Sequence, residues 1–123
     1  MKILLADQHR DMLLMYRALL EQRGDEIVTA FDGTQVADYL QDTPFDLMII
    51  NADIPRVQSS QLLKMARDRR IGTVKMVNAP GVSGTTDNTE QHVILFPFFP
   101  EELFAKIEEA CPSGKACGGV DDE

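Results

Sequence analysis

The stretch Phe45–Pro55, FDLMIINADIP, constrains the fold of this chain more than any other. Asp46 is followed by four apolar residues, Leu47, Met48, Ile49 and Ile50, then by Asn51 and a turn closed by Pro55. A short unbroken apolar run bounded by polar and turn residues predicts a strand buried on both faces, at the centre of a parallel sheet. In such sheets the ligand crevice lies beyond the carboxyl ends of the strands. Asn51 is the residue this strand presents there.

A buried central strand needs neighbours and covering helices, and the chain supplies both in alternation. Lys2–Ala6 reads as an apolar strand leading into Asp7, Gln8 and His9. The following helix carries Met12, Leu13, Met15, Tyr16, Leu19 and Leu20 at helical spacing, with Asp11 expected as its cap and Gly24 as its stop. Ile27–Ala30 is a β-branched strand, Asp32-Gly33 a turn, and Thr34 the expected cap of a helix holding Val36, Ala37 and Leu40. After Pro55, Ser59 or Ser60 is expected to cap a helix with Leu62, Leu63, Met65 and Ala66 on one face, ended by Gly72. Thr73–Val77 and Val93–Phe96 read as two further strands, and Pro100 opens a last helix with Leu103, Phe104 and Ile107. Strand and helix in alternation imply right-handed crossovers and a parallel sheet. Between those last two strands, Asn78–His92 holds Val82 as its single larger apolar residue, so a loop or one irregular turn is expected in place of an amphipathic helix.

The 123 residues suffice for one core, and the expected division is a domain over 1–110 and a poorly ordered tail over 111–123. No run approaches the roughly 20 apolar residues of a membrane span, and Met1–Leu5 before Asp7 is too short for a signal peptide. The expected location is cytoplasmic. A formal charge of −8 argues against direct binding of nucleic acid, which rests on clustered Lys and Arg. The one basic cluster, Arg67-Asp68-Arg69-Arg70, closes a predicted helix and is read as complementing its dipole. Cys111 and Cys117 have a spacing open to a small disulfide loop or two metal ligands; two reduced, inert thiols in a tail is the plainer reading.

With the element order in place, the residues at the strand ends carry a resemblance. Lys2–Asp7, Asp46–Ile50, Ile54-Pro55, Asn78-Ala79, Pro97-Phe98 and Pro100–Leu103, in that order and spacing, resemble the receiver domain of two-component response regulators. The resemblance spans about Lys2 to Ala110. It implies a CheY-like (flavodoxin-like) three-layer α/β sandwich, a doubly wound five-stranded parallel sheet, here with the fourth helix shortened or replaced by a loop. Receivers of this family take a phosphoryl group from a histidine kinase onto an aspartate ending the third strand. An acidic pair after the first strand and that aspartate hold a divalent cation, Mg2+. A Thr or Ser ending the fourth strand and a Lys ending the fifth contact the phosphoryl oxygens.

Laid onto this chain, the first acid is Asp7, the second acid position is Gln8, and the phosphoacceptor position is Asn51, four residues before Pro55. The hydroxyl position is Asn78, the lysine position is Phe96 before Pro97, and the family's aromatic switch position falls on Val93. An amide is not the nucleophile that acyl-phosphate formation needs. Gln8 removes ligand charge, so Mg2+ binding is expected to be weak or absent, with Asp7 the one remaining candidate ligand. Phe96 places a ring where the family has an ammonium. The losses agree with each other, because a lysine without its carboxylates is a buried unpaired cation. The expectation is a phosphorylation-incompetent pseudo-receiver, not an enzyme, acting by protein–protein interaction with a kinase or output protein. The alternative is an active receiver that uses Asp53 or Asp7 with Mg2+.

Other features have plainer readings. Asp53 lies inside the expected turn, and Asp7 by itself is more often a helix-flanking acid bonded to backbone amides. Gly81–Thr86 lacks the Gly-Lys-Ser/Thr ending of a phosphate loop. His9 and His92 read as exposed polar residues. Phe96, Phe98 and Phe99 around Pro97 are the densest aromatic cluster, and the resemblance implies a cis peptide before Pro97. Phe99 stands between core filling and an exposed interface anchor, with Glu102 beside it on the same surface.

Overall fold

A computed structural model describes residues 1–78, 92–96 and 100–110; of Asn78, His92, Leu95 and Phe96 it describes the backbone alone. The described elements, in chain order, are β1 (Lys2–Ala6), α1 (Arg10–Gln22), β2 (Glu26–Ala30), α2 (Gly33–Asp42), β3 (Leu47–Asn51), α3 (Ser59–Asp68), β4 (Gly72–Asn78), β5 (His92–Phe96) and α4 (Pro100–Ala110). All pairings are parallel and the spatial order is β2-β1-β3-β4-β5. The central strand is β3, and all five of its residues are buried. The unbroken apolar run is explained by what covers it. Leu47 and Ile49 enter one core with Leu13, Tyr16 and Leu20 of α1 and Leu103 and Ile107 of α4. Met48 and Ile50 enter the other, with Val36 and Leu40 of α2 and Leu62, Leu63 and Ala66 of α3. Successive strand residues point to opposite faces, so a strand covered on both sides has no polar position to spare.

The helices obey the spacing in the sequence except at Met15, which is 48% exposed because Leu13, Tyr16 and Leu20 already fill the buried side of α1, and three of the expected caps are wrong. The N-cap of α1 is His9, and Asp11 sits inside the first turn, where a carboxylate favours the positive end of the dipole. The N-cap of α2 is Asp32, whose Oδ1 accepts from the Gln35 amide at 2.9 Å; Thr34 is already helical. The cap of α3 is Gln58, without a side-chain bond; the Ser59 hydroxyl instead donates to the Ala52 carbonyl at 2.8 Å, tying α3 to the loop after β3. Gly72 does not end α3. The helix stops at Asp68, Arg70 adopts φ +61, and Gly72 already belongs to β4. The basic cluster does serve the helix end: the Arg69 guanidinium donates to the Met65 carbonyl at 3.3 Å.

Gly33 meets a tight constraint. A Cβ there would lie 2.6 Å from the Val57 Cβ and 2.8 Å from its backbone nitrogen and oxygen. The Gly33 amide donates to the Pro55 carbonyl at 2.8 Å, and Asp32 faces Arg56, which has φ +80, at 3.5 Å. The start of α2 therefore clasps the loop that follows β3. The expectations for Phe99, Pro97, the loop 79–91, and Cys111 and Cys117 in the tail lie outside the described residues.

Candidate functional site

In a sheet of this order, β1 and β3 are neighbours whose connections leave toward opposite faces, and the crevice opens at their carboxyl ends. Register pairs Ala6 with Ile50, so Asp7 and Asn51 emerge together. Asp7 is 2% exposed and Asn51 9%. The Asp7 amide extends the sheet to the Ala30 carbonyl at 3.1 Å, and the Ala52 amide does the same to Met76 at 2.8 Å. Main-chain bonds to the neighbouring strands thus fix the backbone at Asp7 and just after Asn51.

A buried carboxylate must be satisfied from nearby. Asp7 Oδ1 accepts from the His9 amide at 2.8 Å and faces His9 Nδ1, also at 2.8 Å. Asp7 Oδ2 faces the Asn51 Nδ2 donor at 3.4 Å. Asn51 Oδ1 in turn accepts from the Asp53 amide at 2.8 Å, and the Asn51 carbonyl accepts from Ile54 at 3.2 Å. Gln8 Nε2 donates to the Asp53 carbonyl at 3.4 Å, while its Oε1 is buried with no hydrogen-bond partner among the described residues. Beneath the site lies Tyr16, whose phenol is pushed well above its ordinary value, first by burial and second by the Asp7 charge.

Three of the residues predicted from sequence, Asp7, Gln8 and Asn51, are brought together here. Asn78 and Phe96 end adjacent strands and pair in register, which puts both positions at the same edge of the sheet; their side chains lie outside the described residues. Val93 is half-buried within β5, paired with Lys75. Asp53 is exposed, and its described hydrogen bonds are made by its backbone. Glu102 is exposed in the first turn of α4. The His9 ring is exposed, as expected of a polar residue there, and its Nδ1 lies 2.8 Å from Asp7 Oδ1. The sequence signal for that pairing was the Asp-x-His spacing at a strand end, which lets the chain turn back on itself.

The Mg2+ implied by the family can be tested against these donors. Hard dications take about six oxygen ligands and depend on carboxylate charge. Here one carboxylate is present, with one oxygen taken by His9 and the other faced by an amide N–H. The Asp53 carbonyl is occupied by Gln8 Nε2, and turning the Gln8 amide over would set oxygen against oxygen. Among the described residues no group of three or more His, Cys, Asp or Glu side chains could hold a metal. The set does not fit the ion.

No protein-family model matches the chain. Among curated proteins, it is 32% identical over 111 residues to the transcriptional regulatory protein CpxR of Escherichia coli K12, covering 86% of this chain and 47% of CpxR. The chain spans about half the length of the curated relatives it matches first. Among solved structures, the chemotaxis response regulator CheY4 of Vibrio cholerae aligns with a TM-score of 0.79 at 20% identity, over 89% of this chain and 97% of that one. The receiver domain of the sensor histidine kinase PA1611 from Pseudomonas aeruginosa, solved with magnesium in its active-site cleft, aligns with a TM-score of 0.75 at 18% identity, over 89% and 95%.

Sheet order, layer arrangement and the polar site at the switch point define a flavodoxin-like α/β domain. Within that class the likeness to CpxR over 86% of the chain, together with the CheY-like fold, supports a response-regulator receiver (CheY-like) domain. No described helix is long and apolar enough to cross a membrane.

Proposed function

We propose that this receiver domain does not accept a phosphoryl group and works by protein–protein contact in a two-component pathway. The observation that carries this reading is Asn51. It stands at the acceptor position, nearly buried, its amide oxygen held by the Asp53 N–H and its nitrogen turned to Asp7. A carboxylate attacks phosphorus with an anionic oxygen; the amide has none to offer. Gln8 at the second acid position and Phe96 at the lysine position support the same conclusion from sequence. The partners this implies are a histidine kinase or an output protein, in the cytoplasm. Phe99 and Glu102 are the residues we assign to that contact, Val93 holds the family's switch position without an aromatic ring, and nucleic acid is not a direct ligand.

The test is incubation with a small phosphodonor and Mg2+, read by intact mass. The expected outcome is no added phosphoryl group. A stable adduct mapping to Asp53 or Asp7 would establish the active alternative instead.

A further inference from the structure

The solvent face of α1 carries an apolar patch with nothing described over it. Leu14 is 63% exposed and Met15 48%, and Ala18, one turn on, lies between them on the helix surface and is exposed too. The buried side of the helix is complete without them, since Leu13, Tyr16 and Leu20 fill the core. Around the patch stand Arg10, Asp11, Arg17 and Glu21, two charges of each sign, all exposed. On a chain of formal charge −8 this face is balanced, so two copies approach here with less of the repulsion that separates them elsewhere.

We propose that α1 pairs with α1 of a second copy of this chain, antiparallel, across Leu14, Met15 and Ala18. Ala18 lets the helix axes come close, and a two-fold axis near residue 16 sets Leu14 and Met15 of each copy against Ala18 of the other. Arg10 and Glu21 lie about 16 Å apart along the same flank of the helix, at opposite ends of the patch. The two-fold places Arg10 of each copy beside Glu21 of its mate. Arg10 also stacks over the Phe31 ring at 4.5 Å, which leaves the guanidinium edge free to donate, and Arg17 already neutralises Glu21 at 3.0 Å within the helix. The interface is small, in the weak class below about 1,200 Å².

Sedimentation velocity over a concentration series at low salt tests this on the full chain. The wild type is expected to form a concentration-dependent dimer. Leu14→Glu/Met15→Glu is expected to weaken it by about tenfold or more, as loss of central anchors does; Leu14→Gln/Met15→Gln, with unchanged melting, guards against misfolding. Arg10→Glu and Glu21→Arg each set like charges together and lose the dimer. Mixed in equal amounts, they pair unlike charges at both ends and regain it. A wild-type chain monomeric throughout, a dimer indifferent to the apolar changes, or a mixture no tighter than its parts would overturn the proposal.

Discussion

At Asn51 two amide functions serve two neighbours, and that division governs what a substitution would do. Asn51→Asp keeps an oxygen for the Asp53 N–H but sets a second carboxylate against Asp7, where Nδ2 stood 3.4 Å from Oδ2. Burial and like charge raise the carboxyl pKa values of such a pair in the folded state. Stability tied to a raised folded pKa is present at low pH and lost as pH climbs through it. The variant is therefore expected to be destabilised by roughly 1–3 kcal/mol near neutral pH and much less near pH 4. Denaturant unfolding of both proteins at the two pH values checks this; an equal deficit at both would sink the argument. The same residue also marks what was legible. Asp7, Gln8 and Asn51 as one site followed from the receiver resemblance, which sets the ends of the first and third strands in one pocket. His9 on Asp7 did not, because side-chain direction after a strand depends on how the turn closes.

At the scale of elements, apolar spacing located every helix, and the caps were the errors. Ser, Thr and Asp near a helix start are chemically interchangeable in sequence; which one caps depends on which residue leaves helical φ/ψ first. For α2 the clasp between Gly33 and the Pro55–Val57 loop sets that point, and it leaves Asp32 extended, at φ −149. Asp32→Ala is expected to lower unfolding free energy by about 1 kcal/mol. Its partly exposed pairing with Arg56 adds little. Thr34→Ala, inside the helix, should change stability by under about 0.5 kcal/mol. Paired denaturant curves decide the matter, and the reverse ranking would restore Thr34 as the cap.

For the whole molecule, both cores hang on a sheet with its most apolar strand in the middle, so groups under the site report on global unfolding. Tyr16 is 2% exposed and carries a raised phenol pKa. Once unfolded, it ionises near pH 10; folded, it does not. The unfolded state thus loses a proton that the folded state retains, and stability present below pH 10 falls as pH rises beyond it. Melting temperature is expected to decline above about pH 10, and Tyr16→Phe to flatten that decline whatever it does at pH 7. An unchanged alkaline slope would remove Tyr16 from the account.

By itself the sequence determined the order of strands and helices, the burial of β3, and the amide at its end, while the end of α3 fell short of the expected Gly72. Those are local properties: a period, an unbroken apolar run, the identity of one side chain. Tertiary structure alone decided which groups answer one another across the site. The Asp7–Asn51 approach joins residues 44 apart and the Gln8–Asp53 bond residues 45 apart. Such contacts arise only when β1 and β3 lie side by side and the loop after β3 is pinned by Gly33. FDLMIINADIP contains the strand and its amide; the fold supplies the partners that hold the amide in place.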